Sequence, residues 1–136
     1  MKHDTAGEQF VRAFDSAWSR NDVEGATALF AEDATLESPL VQRLLHRSEG
    51  VLHGRDEIRE MVRTLMQGGR AWGGHEPPLI RGNTIAIEFK QPGSGGEHYS
   101  VDIIEVRDGK IQSLRAYAGW RALTPPSGEG RRSPAQ

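Results

Sequence analysis

Two strand-like runs separated by a tight-turn signal constrain this chain more than anything else in it. Tyr99-Ser-Val-Asp-Ile-Ile-Glu-Val106 and Ile111–Trp120 flank Arg107-Asp108-Gly109-Lys110. Asp-Gly between two such runs marks a β-hairpin, because the tight primed turns need residues that tolerate positive φ. The period of two in a strand then sorts the residues by face. Ser100, Asp102, Ile104 and Val106 share one face of the first run, and Leu114, Ala116, Ala118 and Trp120 share one face of the second. Within this hairpin Asp102 stands out. Asp is a poor strand residue and is costly to bury ionised, so its place in mid-strand asks for a reason, and a working pocket is one.

The rest of the chain reads as helices first and strands after. Phe10, Val11, Phe14, Ala17 and Trp18 fall on one face at helical spacing, predicting a helix over 5–20. Asn21-Asp22 breaks it and can cap a second helix with Val23, Ala26, Leu29 and Phe30 on its apolar face. Asp33–Pro39 reads as a short strand ended by proline. Leu40–Gly54 reads as a loop with a short turn of helix. A third long helix follows Gly54, with Asp56 and Glu57 in its first turn, Ile58, Met61, Val62, Leu65 and Met66 on one face, and Gly68-Gly69 at its end. Ala71–Ile80 is a weak strand candidate, Arg81-Gly82-Asn83 a turn, and Thr84–Lys90 an alternating strand with Ile85, Ile87 and Phe89 on one face. The tail 124–136 holds three Pro, two Gly and two Arg but no large apolar residue, and is expected to be disordered beyond a single domain over 1–123. This order predicts an α+β fold, a curved antiparallel sheet wrapped around three N-terminal helices. A curled sheet of this kind encloses an apolar cavity suited to a small molecule.

Composition narrows the function. A length of 136 residues allows one domain with a real core. A formal net charge of −2 leaves no electrostatic footprint of a nucleic-acid binder. The absence of Cys removes disulfides, thiolate metal sites and thiol nucleophiles. His46, His53, His75 and His98 have no HxH or HExxH spacing, so no metal site is expected. Gly93-Ser94-Gly95-Gly96 lies between strands and not before a helix, so it is no phosphate loop, and GxSxG is absent. No cofactor is implied. The polar start Met1–Thr5 has no apolar stretch after it, so neither signal peptide nor membrane span is expected and a cytoplasmic location follows.

Asn21-Asp22, the run from Ala28-Leu29-Phe30 to Glu37-Ser38-Pro39, Gly54-Arg55-Asp56-Glu57-Ile58, and the hairpin motifs Val101–Val106, Asp108–Ile111 and Arg115-Ala116-Tyr117 together resemble the nuclear transport factor 2-like superfamily. Within it the resemblance is to SnoaL-like polyketide cyclases and ketosteroid isomerases, over 7–120. It implies a cone-shaped fold with the pocket inside the sheet, and a homodimer formed through the outer sheet face. By that resemblance Asp102, Leu114, Ala116 and Trp120 face the pocket, while Tyr99, Val101, Ile103, Arg115 and Tyr117 face outward. Ketosteroid isomerases work with an Asp base, an oxyanion Tyr and a second, protonated Asp. The second acid falls on Asp102. The base falls on Ser38 and the Tyr on Phe14. Serine is too weak to abstract a proton α to a carbonyl unaided, and phenylalanine donates no hydrogen bond, so steroid isomerisation by that route is not expected.

Asp102 is the candidate catalytic residue. Against this stands the reading of a carboxylate satisfied by an Arg or by backbone amides. Phe14, Trp18, Ser38, His53, Ala116 and Trp120 are candidate ligand contacts; for Phe14 and Trp18 the plainer role is core packing, for His53 a place in a surface loop. Glu37 has the opposite parity to Ser38 and is expected outside the pocket. Two functions fit: a cofactor-free isomerase, cyclase or hydrolase acting on a small hydrophobic molecule, or a binding module for such a molecule; a dimerisation domain is a third option that nothing in the sequence supports.

Overall fold

Helix α1 (Ala6–Ser19) forms where the apolar spacing predicts it, and Phe10, Val11, Phe14 and Ala17 are buried. Thr5 caps it. Its Oγ1 accepts from the Glu8 amide at 3.0 Å, and the Glu8 carboxylate accepts from the Thr5 amide at 2.8 Å, a reciprocal capping box. The computed structural model describes residues 5–68, 75–91, 96 and 98–120. Residues 71–74 of the weak strand candidate Ala71–Ile80, the end of the domain at 123 and the tail 124–136 lie outside them; Leu79 and Ile80 of that candidate are in a strand.

Asn21, at φ 54°, turns the chain, and the Asp22 carboxylate caps α2 (Val23–Ala28) by accepting from the Gly25 amide at 2.9 Å. The helical face expected to continue through Leu29 and Phe30 does not. The chain leaves the helix at Leu29, and Phe30 opens β1 (Phe30–Glu37). Long-range hydrogen bonds explain the early exit. Arg55 Nε and Nη2 both donate to the Phe30 carbonyl, at 3.0 and 2.6 Å, the Ile111 amide donates to Leu29 O at 2.8 Å, and Lys110 Nζ donates to Ala28 O at 2.7 Å. Tertiary partners take the carbonyls that another helical turn would need.

Pro39 does end the strand, but as the first residue of a further helix, α3 (Pro39–Leu45), capped by Ser38. Proline at the first helical position after a serine cap is a favourable start. The stretch expected to be mostly loop thus holds α3 and β2 (Val51–His53), before Gly54, at φ 88°, leads into α4 (Arg55–Gln67).

The second half supplies β3 (Leu79–Arg81), β4 (Thr84–Gln91), β5 (His98–Arg107) and β6 (Lys110–Ala118). The sheet is curved and unclosed, in the order β2-β1-β6-β5-β4-β3. It is not wholly antiparallel: β1 runs parallel to β6, as a long connection with intervening elements permits. Asp108 (φ 52°) and Gly109 (φ 75°) form the expected hairpin turn. The register shifts between Glu105 and Val106, pairing Glu105 with Ser113 but Val106 with Ile111. This bulge lets Ile111 and Leu114, three residues apart, both turn inward and become buried. The helices and the inner face share one core, with Phe10, Phe30, Ile58, Met61, Ile85, Ile87 and Ile104 all in it. Among the described residues no helix is long and apolar enough to cross a membrane.

Candidate active site

Asp102 lies on the inner face of β5, between Ile87 of β4 and Ala116 of β6. Its neighbours two residues along the strand on the same face are Ser100 and Ile104, the latter fully buried. The backbone therefore holds a carboxyl on a face that also carries Ile85, Ile87, Phe89 and Leu114. It keeps some contact with solvent, yet packing around it pushes its pKa from 3.8 to about 7, burial being the main cause and the charge of His75 a smaller opposing one. No arginine or backbone amide among the described residues hydrogen-bonds this carboxyl. A group with such a pKa is present in both protonation states at neutral pH, which suits it to give or take a proton.

Sequence spacing does not reveal a pair formed by His75 and Asp15. His75 Nε2 lies 2.8 and 2.9 Å from the two carboxylate oxygens of Asp15 on α1, and its Nδ1 lies 2.6 Å from Glu76 O. The His75 side chain is 8% exposed and that of Asp15 35%. The His75 ring packs edge to face on Phe89, centroids 5.5 Å apart. Phe89 pairs with Ser100, one inner-face position from Asp102. At the start of α1, Gly7 lies against the Ile80 side chain of β3; a Cβ there would sit 2.9 Å from Ile80 Cγ2. One signal for Asp15 exists in the sequence: Val11, Asp15 and Trp18 follow helical spacing, which puts a carboxylate on the apolar stripe of α1.

The other predicted residues spread over the fold. Phe14, 2% exposed, stacks with Phe10 at 6.3 Å and meets Trp18 at 6.1 Å, and Trp18 is partly buried against the core. Ser38 is buried, and its Oγ accepts from the Leu40 amide at 3.1 Å, so its hydroxyl caps α3. Ser38 and Ala116 line one open depression of about 250 Å³ together with Pro39, Gln42, Arg115 and Tyr117. His53 is exposed on β2, three strands from Asp102, and its amide donates to Glu57 Oε1 at 2.8 Å. Trp120 follows the end of β6 and is 70% exposed. Glu37 is exposed, as its parity requires. Among the described residues no three His, Asp or Glu side chains lie close enough together to hold a metal ion.

Comparison with known proteins agrees with this architecture. Residues 11–114 match the SnoaL-like domain. No curated protein matches the chain. Among solved structures, an NTF2-like protein of unknown function from Burkholderia pseudomallei superposes with a TM-score of 0.71 at 16% identity, covering 88% of this chain and 95% of that one. Another, from Cytophaga hutchinsonii, gives 0.66 at 18% identity over 90% and 98%. TerC, co-crystallised with polyporic acid, gives 0.69 at 16% identity over 88% and 95%.

Proposed function

Because the chain belongs to the SnoaL-like domain family, we propose that the inner face of its sheet binds a small, largely apolar organic molecule and that Asp102 exchanges a proton with it. One observation carries this reading: a carboxyl without a hydrogen-bonded counter-ion sits among Ile87, Ile104 and Ala116 with a pKa of about 7. Isomerisation, cyclisation and hydrolysis can each use such an acid or base together with a polar partner. The absence of the isomerase pair argues against steroid isomerisation by the usual route: Ser38 spends its hydroxyl on a helix cap, and Phe14 is packed in the core. The same loss supports a second reading, in which the molecule is held without chemistry.

Thermal unfolding with polyporic acid as first probe, and mass spectrometry of small molecules extracted from the purified protein, test the proposal. A ligand that binds only the folded state raises the midpoint by mass action. A molecule so identified should be transformed by the wild type and transformed at least about 100-fold more slowly by Asp102→Asn. Transformation at equal rates by both removes Asp102 from the chemistry. Binding without transformation leaves the holding function. Two copies of the chain are proposed to pair through the outer sheet face, where Tyr99 (46% exposed) and Tyr117 (55%) stand exposed; light scattering reads the mass directly, and a monomer at high concentration rejects the pairing.

A further inference from the structure

The sheet has an internal edge besides its two outer ones. Strand β1 pairs with β6 as far as Glu37 opposite Arg115, whereas β6 runs on to Ala118, paired on its other side with Ser100 of β5. Just beyond, the Gly119 amide donates to Tyr99 O at 2.7 Å. Hydrogen bonding alternates along an antiparallel pair, so Arg115, Tyr117 and Gly119 turn their main-chain groups to β5, and Ala116 and Ala118 turn theirs the other way. On that side β1 has left the sheet. A parallel ladder would next bring the amide two residues beyond Glu37 to the Ala116 carbonyl, but that residue is Pro39, which has no N–H. Ser38 offers no substitute: its amide donates to Gly50 O at 2.9 Å, and its hydroxyl caps α3. The Ala116 carbonyl and the N–H and C=O of Ala118 are therefore left without a strand partner among the described residues.

These groups border the open depression of about 250 Å³ that Ala116, Tyr117 and Pro39 line. The outer edges of the sheet offer less. Strands β2 and β3 have three residues each, and β3 follows Pro77-Pro78; short strands and prolines blunt an edge. The depression also has an unbalanced charge. Arg115 at its rim is held by Glu105 at 2.7 Å, while Glu37, which lines it too, is exposed and makes no ion pair among the described residues. We propose that this internal edge takes up an extended peptide with a basic side chain, which adds as a strand beside residues 116–118 where β1 leaves off. Acceptor, donor and acceptor in a row match the main chain of such a peptide, and the basic group answers Glu37. The edge lies on the side of β6 away from β5, the strand that carries Asp102, so the proposal stands whether or not Asp102 reacts.

The probe is a hexapeptide blocked at both ends, with a lysine at each terminus and alternating valine and threonine between them, titrated into nitrogen-15-labelled protein. Saturable shifts of the Tyr117 and Ala118 amides are expected, with a dissociation constant of about 1 mM or tighter. The same peptide N-methylated at its valines and threonines cannot add as a strand and should bind at least about tenfold more weakly. Ala118→Pro removes the unpaired N–H and leaves the pairing with β5. It should fold, because proline is accepted where the N–H side of a strand has no partner, and should bind about five- to tenfold more weakly. Glu37→Gln should weaken binding about two- to threefold, a difference that high salt removes; it carries the test with the N-methylated peptide if the proline variant does not fold. No saturable shift at about 5 mM peptide, equal binding of the N-methylated peptide, or an affinity unchanged in the variants overturns the proposal.

Discussion

The two faces of the β5–β6 hairpin treat a carboxylate in opposite ways. Inside, Asp102 is surrounded by apolar side chains and its pKa rises to about 7. Outside, three residues along the same strand, Glu105 accepts from Arg115 Nη1 at 2.7 Å, and Arg115 also donates to Ser113 Oγ at 3.2 Å and to the Tyr117 hydroxyl at 3.3 Å. The outer pair is diagonal across the strands, since Glu105 faces Ser113 and Ile103 faces Arg115. Its side chains are 49% and 32% exposed. Opposite charge holds Arg115 protonated, chiefly through the Glu105 hydrogen bond, but water screens what that contact contributes to stability. Burial thus does to Asp102 what partnership prevents at Glu105. One arrangement costs stability and leaves a titratable group poised near neutrality; the other is close to neutral for the fold.

The largest expected effect breaks the comparison at Asp102. Its folded pKa of about 7 lies above the unfolded value of 3.8, so the unfolded chain releases this proton first. Any stability due to the protonated carboxyl is fully present below about pH 4 and is lost as pH rises towards 7. The full loss corresponds to about 4 kcal/mol, reduced to the extent that water reaches the carboxyl. Asp102→Asn cannot ionise. Chemical denaturation should find it more stable than the wild type at pH 8 and nearly equal to it at pH 4, while its turnover falls. Equal stability at pH 8 would mean that the inner face solvates the charge after all.

Next in size is Ile104→Ala. Ile104 is fully buried beside Asp102, whereas its neighbour Ile103 faces outward and is only partly buried. Deleting the buried side chain should cost about 3 kcal/mol in transfer and cavity terms, and Ile103→Ala clearly less. Equal losses from the two would show that the outer face is as well covered as the inner, as a tight dimer would make it.

How much of this was legible in the sequence depends on the range of the forces. The hairpin, α1 and α4 are set by local chemistry: Asp108-Gly109 supplies positive φ, Thr5 and Glu8 supply a cap, and apolar residues repeat every three or four positions. Asp102 was visible because it offends a local pattern. Phe30 continues the apolar face of α2 in sequence but opens β1 in the fold, because hydrogen bonds from Arg55 and Ile111, distant in sequence, decide where that helix stops. The parallel pairing of β1 with β6 and the bulge at Glu105 are likewise products of assembly. His75 and Asp15 are 60 residues apart, and neither belongs to a spaced motif. Only the fold brings them together, so a search for ligand spacings passes over both.

Smaller again is Ser38→Ala, which separates a structural serine from a ligand contact. Losing the cap on the Leu40 amide should cost about 1 kcal/mol, whatever the site binds. Ser38→Asn, which can still cap, should restore most of it. If the Ala variant instead keeps its stability and loses ligand affinity, the hydroxyl serves the depression it lines and not the helix.

The smallest effect is the one that tests the outer half of the comparison. Glu105→Gln removes the charge from the shortest contact of the outer cluster and leaves an amide of similar shape. An exposed ion pair of this kind is worth about 0.5 kcal/mol. The loss should shrink further in high salt, because screening acts on exposed charges and hardly on buried ones. Asp102→Asn should show the reverse behaviour, with a difference from the wild type that salt scarcely alters. A loss at Glu105 of the size expected for Ile104 would require the Arg115 cluster to be shielded from water, and the second copy proposed on that face could provide the shield. Dilution then decides between the two: the penalty of Glu105→Gln should fall as the protein concentration falls if a partner covers the cluster, and stay constant if the single chain holds it alone.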